Sequence, residues 1–431
     1  MAKYLLKNKD TVIAIVNFVP EANAFISIDE WINPNFAPIT IKNSIDKKYL
    51  NPLKELNNWY QNRGIPQYRD ELNDLLVKLN VDNISELKRN SYALSLSDQY
   101  WFHPIEENIE WKDVNFFTND FHFLEFANAV FSSQSKTTND VYSSSPNFST
   151  DGMVKKAWII DDNIRTLLKG GYKKSRQEPF NELLASMICK ELKFDYVPYY
   201  LKDVNNQIVS ACPTFIDSNT ELISAADIFF SEKKNNSIND YNHYISLLEK
   251  NGILDARIHL ENMIVLDYLM LNEDRHMRNF GVIRDVNTLE WIKVAPIYDT
   301  GQSLLSQTDY LDMNFNKGNG KFFTNIQMPF DKIILNVQDL TRYDFQSLFS
   351  VIDRWELELH RWNEKVLIPE ERIDRIVEGI KTRIKKAILI QDIQKQQNQD
   401  IEYRIEKTSK KENLQVKDIN RHIRQKDNLG K

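Results

Sequence analysis

Few folds accommodate the run from Asn272 to Ser303, NEDRHMRNFGVIRDVNTLEWIKVAPIYDTGQS. Before it, Ile258 to Leu271 carries Met263, Ile264, Val265, Leu266, Leu269 and Met270, apolar around most of the circumference, which suits a helix buried inside a lobe. After a polar loop, Phe280 to Arg284 and Trp291 to Ala295 read as short strands, joined by Asp285, Val286, Asn287 and Thr288 in a hairpin. The residue before the first strand of an antiparallel pair and those after the second lie at the same end, so Asn279 and Asp299 are expected to converge, with Asp274 near them. Oxygen ligands gathered in this way form a cradle for Mg²⁺, which takes one or two protein oxygens and completes its octahedron with water and phosphate oxygens.

The separation of Asp274 and Asn279, five positions, is that of base and metal-binding Asn in the kinase signature H-R-D-x-x-x-x-N, and Asp299-Thr300-Gly301 stands where D-F-G would. Taken singly, an Asp or Asn in a loop is more often a turn or cap residue. Taken jointly, between a buried helix and a hairpin, they point to phosphoryl transfer, with Asp274 as the base and Asn279 and Asp299 as the metal ligands.

The string NEDRHMRNFGVIRD followed by APIYDTGQSL resembles the C-terminal half of the HipA-like serine/threonine kinases, an atypical branch of the protein-kinase-like fold. The resemblance implies that Asp274 is the catalytic aspartate, that Asn279 and Asp299 bind metal, and that His276 braces the loop. It also implies ATP and Mg²⁺ as cofactors and an unidentified protein as substrate. The same D-R-H-x-x-N string occurs in phosphoinositide-type lipid kinases, so a phosphoinositide or small-molecule kinase is the alternative. A non-catalytic nucleotide-binding scaffold is the second alternative. A metal hydrolase using Asp274, His276 and Asp299 ranks below these, because a single His lacks the nitrogen ligands common at zinc sites.

At 431 residues the chain exceeds the usual single-domain size and accommodates two lobes with extensions. Only 11 glycines in that length argues for a helix-rich build. The formal charge of −6 offers no sequence-independent pull toward nucleic acid, which is not an expected partner. Cys189 and Cys212, far apart in a long chain, suggest a reducing compartment. The start MAKYLLKNKD lacks a signal pattern and no apolar run is long enough for a membrane helix, so a cytoplasmic protein without membrane contact is expected.

The N-terminal part mixes strand-like runs at Val12 to Val19 and Ala24 to Ile28 with two helical patterns, Leu50 to Asn62 and Tyr68 to Leu79. The aromatic stretch from Ser91 to Phe117 reads first as packing, with base or peptide binding as the other reading. A Ser-, Thr- and Asn-rich stretch from Ser132 to Thr150, running into Asp151-Gly152, marks a mobile loop that feeds a hairpin, Lys155 to Ile160 and Ile164 to Lys169. A hydroxyl-rich loop in that place suits nucleotide phosphates, and a plain linker is the equal alternative. Ser149, Thr150, Asp151 and Gly152 are the candidate phosphate-loop residues. In the HipA family the corresponding loop grips phosphates and can be self-phosphorylated.

Lys169 closes the second strand where kinases place the lysine that clamps the α- and β-phosphates. The helical pattern from Pro179 to Leu192 supplies Glu182 as its partner, with Glu178 as a competitor. The resemblance implies an Asn-Glu pair like Asn181-Glu182 on that helix. Strand-like runs at Tyr196 to Tyr200 and Gln207 to Phe215 lead into a hinge near Pro213 to Asp217, with Pro213, Phe215 and Asp217 as adenine-side candidates. Leu305 to Gln327 reads as an irregular segment that gates substrate or simply lies on the surface. Helices are expected over Val337 to Trp362 and from Pro369 onward, with a charged, weakly basic tail from about Ile393 that is solvated helix or disorder.

The expected architecture is α+β: a two-lobed protein-kinase-like fold with a small mixed N-lobe built on a β-sheet, a larger helical C-lobe and an N-terminal α+β extension. The divisions are an extension over 1–130, the N-lobe with its Ser-rich phosphate loop over 131–219, the C-lobe with its catalytic loop over 220–392 and the tail over 393–431. Toxin kinases of the family act beside a DNA-binding antitoxin. An antitoxin-like partner is therefore a class the resemblance raises and the residues themselves do not indicate.

Overall fold

The computed structural model describes the chain except residues 48–49, 67–71, 80–82, 122–123, 132–144, 151–153, 173–174, 324–325 and 429–431. The first sheet is antiparallel and belongs to the extension. Its strands β1 (Ala2–Asn8), β2 (Thr11–Val19), β3 (Ala24–Trp31) and β4 (Tyr100–Pro104) lie in the order β3-β2-β1-β4. The Pro52–Gln61 helix, started by the Asn51 side chain accepting the Leu53 and Lys54 N–H groups at 3.0 and 3.2 Å, lays Leu56 and Tyr60 on Phe18, Phe25 and Phe102. Strands β1 and β4 were not foreseen. In the first, Leu5 and Leu6 are adjacent and the buried positions Leu6, Lys7 and Asn8 run consecutively, so no alternation marks the strand.

The aromatic stretch packs. Trp101, Trp111, Phe116 and Phe121 form a buried cluster, and Trp101 stacks on His103 with ring centroids 5.1 Å apart.

A second four-stranded sheet holds β5 (Lys156–Asp161), β6 (Ile164–Lys169), β7 (Tyr200–Val204) and β8 (Gln207–Pro213) in the order β5-β6-β8-β7. Phe126 and Phe131 of the Leu124–Phe131 helix pack on Ala157, Leu168, Val209 and Ala211. The Glu178–Glu191 helix buries Phe180, Leu184 and Ile188 in the large core shared with the helical lobe. Tyr196 makes only an isolated parallel bridge to Ile297, so the strand expected from Tyr196 begins instead at Tyr200.

The helical lobe is built round the Ala256–Met270 helix, in which Leu260, Val265, Leu266 and Leu269 are buried, as its all-round apolar pattern requires. The Asp240–Lys250, Leu348–Val366 and Glu370–Asn428 helices surround it. The expected hairpin forms as β10 (Gly281–Asp285) and β11 (Trp291–Val294), and β9 (Thr220–Ser224) adds a third antiparallel strand beside β10. Gly281 permits that pairing, since a Cβ there would lie 2.0 Å from the Ile223 carbonyl oxygen.

The segment expected to be irregular contains a small hairpin, β12 (Asn319–Lys321) with β13 (Gln327–Pro329). The helix expected over Val337 to Trp362 begins only at Leu348, because Asp339 and Asp344 accept N–H groups two and three residues on and hold turns there. The last helix continues through the polar tail to Asn428. No helix among the described residues is long and apolar enough to cross a membrane.

The chain thus adopts the α+β, two-lobed, kinase-like arrangement: a sheet with its lysine and helical glutamate, then a helical lobe carrying the polar loop.

Candidate active site

Strand β6 ends on Lys169, whose place beside Ser210 of β8 turns its side chain into the body of the protein. Its ammonium donates to Glu182 Oε1 at 3.0 Å, Asp299 Oδ1 at 2.8 Å and the Tyr199 hydroxyl at 3.0 Å. Burial alone would push the ammonium to lose its proton, but the Asp299 and Glu182 carboxylates outweigh that and hold it charged well above the usual lysine range. Asp299 answers in the opposite sense. Burial opposes its charge, yet Lys169, Lys156 and Arg275 keep its carboxyl ionised well below the usual range.

Glu182 does a second job. Its other oxygen accepts the Thr300 N–H at 3.0 Å and hydroxyl at 2.8 Å, which fixes the turn that carries Asp299. Asp299 itself sits at φ +58°, a left-handed conformation uncommon outside glycine, and donates its N–H to the Tyr199 hydroxyl at 3.3 Å. The neighbouring Asn181 donates to the Gly301 and Ser303 carbonyls, both at 2.8 Å, and Gln177 and Arg372 continue the network toward the last helix. Glu178 is not the lysine's partner. Its carboxylate accepts the Tyr172 N–H at 3.0 Å and the Ser175 hydroxyl at 3.2 Å.

The polar loop is held from beneath by Arg275. Buried against Asp267 of the preceding helix at 3.0 Å, it donates to the Asn279 carbonyl at 2.8 Å and the Tyr298 carbonyl at 2.5 Å, and so ties the start of the hairpin to its far end. This is what brings Asn279 and Asp299 together. Asn279 spends its amide N–H on the Asp274 carbonyl at 3.1 Å, which leaves its side-chain oxygen as an acceptor. His276 donates its backbone N–H to the Asp274 carbonyl at 2.7 Å, and its ring Nδ1 accepts the Arg278 N–H at 3.2 Å. Asp274 Oδ1 meets Lys321 of β12 at 2.9 Å.

One cavity of about 500 Å³ is lined by Lys169, Glu182, Asp274, His276, Asn279 and Asp299, together with Ser149, Thr150, Pro213 and Phe215. The Ser149 hydroxyl donates to the Pro146 carbonyl and the buried Thr150 hydroxyl to the Asn147 carbonyl, so the described part of the Ser-rich stretch is a short, self-bonded turn rather than a loose loop. Asp151 and Gly152 lie outside the described residues. Asp217 is displaced from the expected site. It does not line the cavity, because its carboxylate accepts the Asn219 N–H at 2.8 Å and the Thr220 hydroxyl at 2.9 Å, closing the turn into β9.

Several contributors went unread in the sequence. Ser95, Leu96 and Ser97 bring the extension into the cavity wall, and the Ser97 carbonyl accepts the Leu222 N–H at 2.8 Å. Gln99 donates to the Asp217 and Thr220 carbonyls at 2.8 and 2.6 Å and pins the turn into β9. No local pattern marks them. Arg275 and Asn181 lie inside the recognised strings, but nothing local signals that they bond backbone carbonyls across the site.

Residues 148–388 match the family model described as the HipA-like C-terminal domain. The chain belongs to that family. A curated relative of this HipA-like protein is the serine/threonine-protein kinase CtkA of Helicobacter pylori, 28% identical over 136 residues, which are 30% of this chain and 42% of the relative. The match thus spans less than half of that relative's length. Among solved structures, the Helicobacter pylori proinflammatory kinase CtkA overlays with a TM-score of 0.44 at 19% identity, covering 56% of this chain and 95% of that one. HipA of Shewanella oneidensis, solved with HipB and operator DNA, overlays with a TM-score of 0.49 at 12% identity, covering 90% and 99%.

Proposed function

We propose that this HipA-like protein is an ATP- and Mg²⁺-dependent kinase that transfers the γ-phosphoryl group to a serine or threonine hydroxyl of a protein. The observation that carries the reading is a single cavity in which Lys169, clasped by Glu182 and Asp299, faces the loop bearing Asp274 and Asn279. The CtkA relative, named a serine/threonine-protein kinase, supports the choice of acceptor.

Lys169 binds the α- and β-phosphates, and Glu182 holds its ammonium in place while fixing the Thr300 turn. Pro213 and Phe215, at the end of β8, take the adenine side. Asp274 accepts the proton of the attacking hydroxyl, a role worth on the order of 10²- to 10⁴-fold in rate. The acceptor oxygen bonds to the γ-phosphorus as the bond to the β–γ bridging oxygen breaks, and that electron pair leaves with ADP. The donor set fits Mg²⁺: the Asn279 side-chain oxygen and the ionised Asp299 are hard oxygen ligands on one cavity. An ion held by these two residues would supply neutralisation of phosphate charge.

Incubating the purified chain with γ-labelled ATP, Mg²⁺, cell extract and mixed lipids tests this. Label in protein, lost in Asp299→Ala, is expected. Label in lipid alone, or bound nucleotide with no transfer to any acceptor, overturns it.

A further inference from the structure

The loop that carries the base contains no lysine. Between Asp274 and Asn279 it offers Arg275, buried on Asp267, then His276, Met277 and Arg278. A lysine arrives from elsewhere. Lys321 of β12 places its ammonium 2.9 Å from Asp274 Oδ1, with both side chains about 30% exposed.

The delivery is architectural. A Cβ on Gly318 would lie 2.9 Å from Leu271, so this glycine lets the hairpin settle against the residue before the polar loop, while Gly320, where a Cβ would lie 2.8 Å from the Phe330 ring, lets β12 lie on Phe330. Phe323 is buried against Tyr244 and Phe280, with ring centroids 5.3 and 5.4 Å away. These contacts hold the strand on the loop on either side of Lys321, so the lysine's position follows from packing as well as from its ion pair.

We propose that Lys321 is a catalytic residue, binding the phosphoryl group while it passes from ATP to the acceptor. The inference rests on the kinase reading given above and adds a cation to it. An ammonium has three N–H groups, and Asp274 takes one of them. The acceptor hydroxyl must lie within hydrogen-bond reach of the same carboxylate to lose its proton to it. The γ-phosphorus is one bond beyond that hydroxyl oxygen in the transition state. A cation fixed on the base is therefore beside the phosphoryl oxygens where negative charge is spread, and acts there without rearrangement. Bonds made and broken are those of the transfer itself: acceptor oxygen to phosphorus forms, phosphorus to bridging oxygen breaks, and the proton goes to Asp274. Lys321 keeps its protons throughout.

The experiment compares wild type with Lys321→Met, Lys321→Arg, Asp274→Ala and Arg278→Met, using γ-labelled ATP and the protein acceptor found for the wild type. Thermal unfolding with and without MgADP shows that each variant is folded and binds nucleotide. Expected is a fall in kcat of on the order of 10²-fold in Lys321→Met, carried equally into kcat/KM with KM for ATP little changed, the pattern of an interaction made only in the transition state. Lys321→Arg should recover most of the loss and also serves if the methionine variant is unstable. The inference is overturned if folded Lys321→Met keeps or exceeds the wild-type kcat, if its loss lies in KM for ATP, if Arg fails to rescue, or if Arg278→Met alone shows the kcat loss. When Asp274→Ala is inactive while Lys321→Met is normal, the kinase reading stands and this inference falls. A wild type that transfers nothing removes both.

Discussion

Lys169 in the cavity and Lys88 in the extension are equally buried, at 5% exposure each, yet their environments push them in opposite directions. Lys169 meets two carboxylates and is held charged. Lys88 meets the Tyr60 carbonyl at 2.8 Å and the face of its ring at 3.9 Å, with Arg63 and Arg89 nearby. Burial, then those like charges, lower it to about 8. A dipole and a ring face do not replace what water gave the ammonium, whereas two ionised oxygens more than replace it. The difference teaches that burial of a lysine marks no function by itself. A lysine clasped by two acids in a cavity keeps the charge that the proposed phosphate clamp requires, and one on a carbonyl and a ring face serves packing.

The sharpest way to break this contrast is Lys169→Met. It leaves Glu182 and Asp299 buried without their cation, so stability should fall by about 3 kcal/mol or more in guanidinium unfolding. Label transfer from ATP should fall on the order of 10²- to 10³-fold. A variant as stable and active as wild type would erase the distinction.

The next effect is on pH dependence. Folded Lys88 sheds its proton near pH 8, while an unfolded lysine does so near 10.4. Between those values the unfolded state binds more protons, so this residue makes the folded state gain stability as pH rises. Compared with Lys88→Met, wild type should gain about 2 kcal/mol from pH 8 to 10. The buried thiols of Cys189 and Cys212, both pushed up, act the other way but equally in both proteins, so the difference isolates the lysine. A pH-independent difference would refute it.

A smaller effect is expected from Glu182→Gln, which keeps an acceptor for Thr300 but removes one of the two charges on Lys169. Initial rates should drop about tenfold, or 1.4 kcal/mol of barrier, and a rate unchanged within error would show that Asp299 alone positions the lysine. Least affected should be Lys88→Met at neutral pH. The Tyr60 carbonyl keeps the Arg63 N–H at 3.2 Å, so stability should stay within about 1 kcal/mol of wild type in the same unfolding assay.

Helices and hairpins around the site were legible because their signals are local. The buried helix before Asp274, the strands flanking Asp285 to Thr288 and the helix bearing Glu182 each show their period within a dozen residues or so. Asp217 misled for the same reason: a polar residue at the end of a strand looks alike whether it lines a cavity or caps a turn. The Val337 to Leu348 stretch misled through composition, since its apolar residues suit a helix while Asp339 and Asp344 draw the backbone into turns.

Residue order alone was enough to predict that Asp274, Asn279 and Asp299 meet in one place, since the five-residue step from Asp274 to Asn279 and the hairpin before Asp299 lie within one continuous segment. It took three-dimensional packing to choose Glu182 over Glu178, to bring Ser95 to Ser97 into the cavity wall and to set Lys321 on Asp274 across 47 positions of chain. Backbone periodicity is a property of neighbours along the chain. A contact between distant residues depends on how whole elements dock, and here small residues such as Gly318 and Gly320 permit that docking without advertising it.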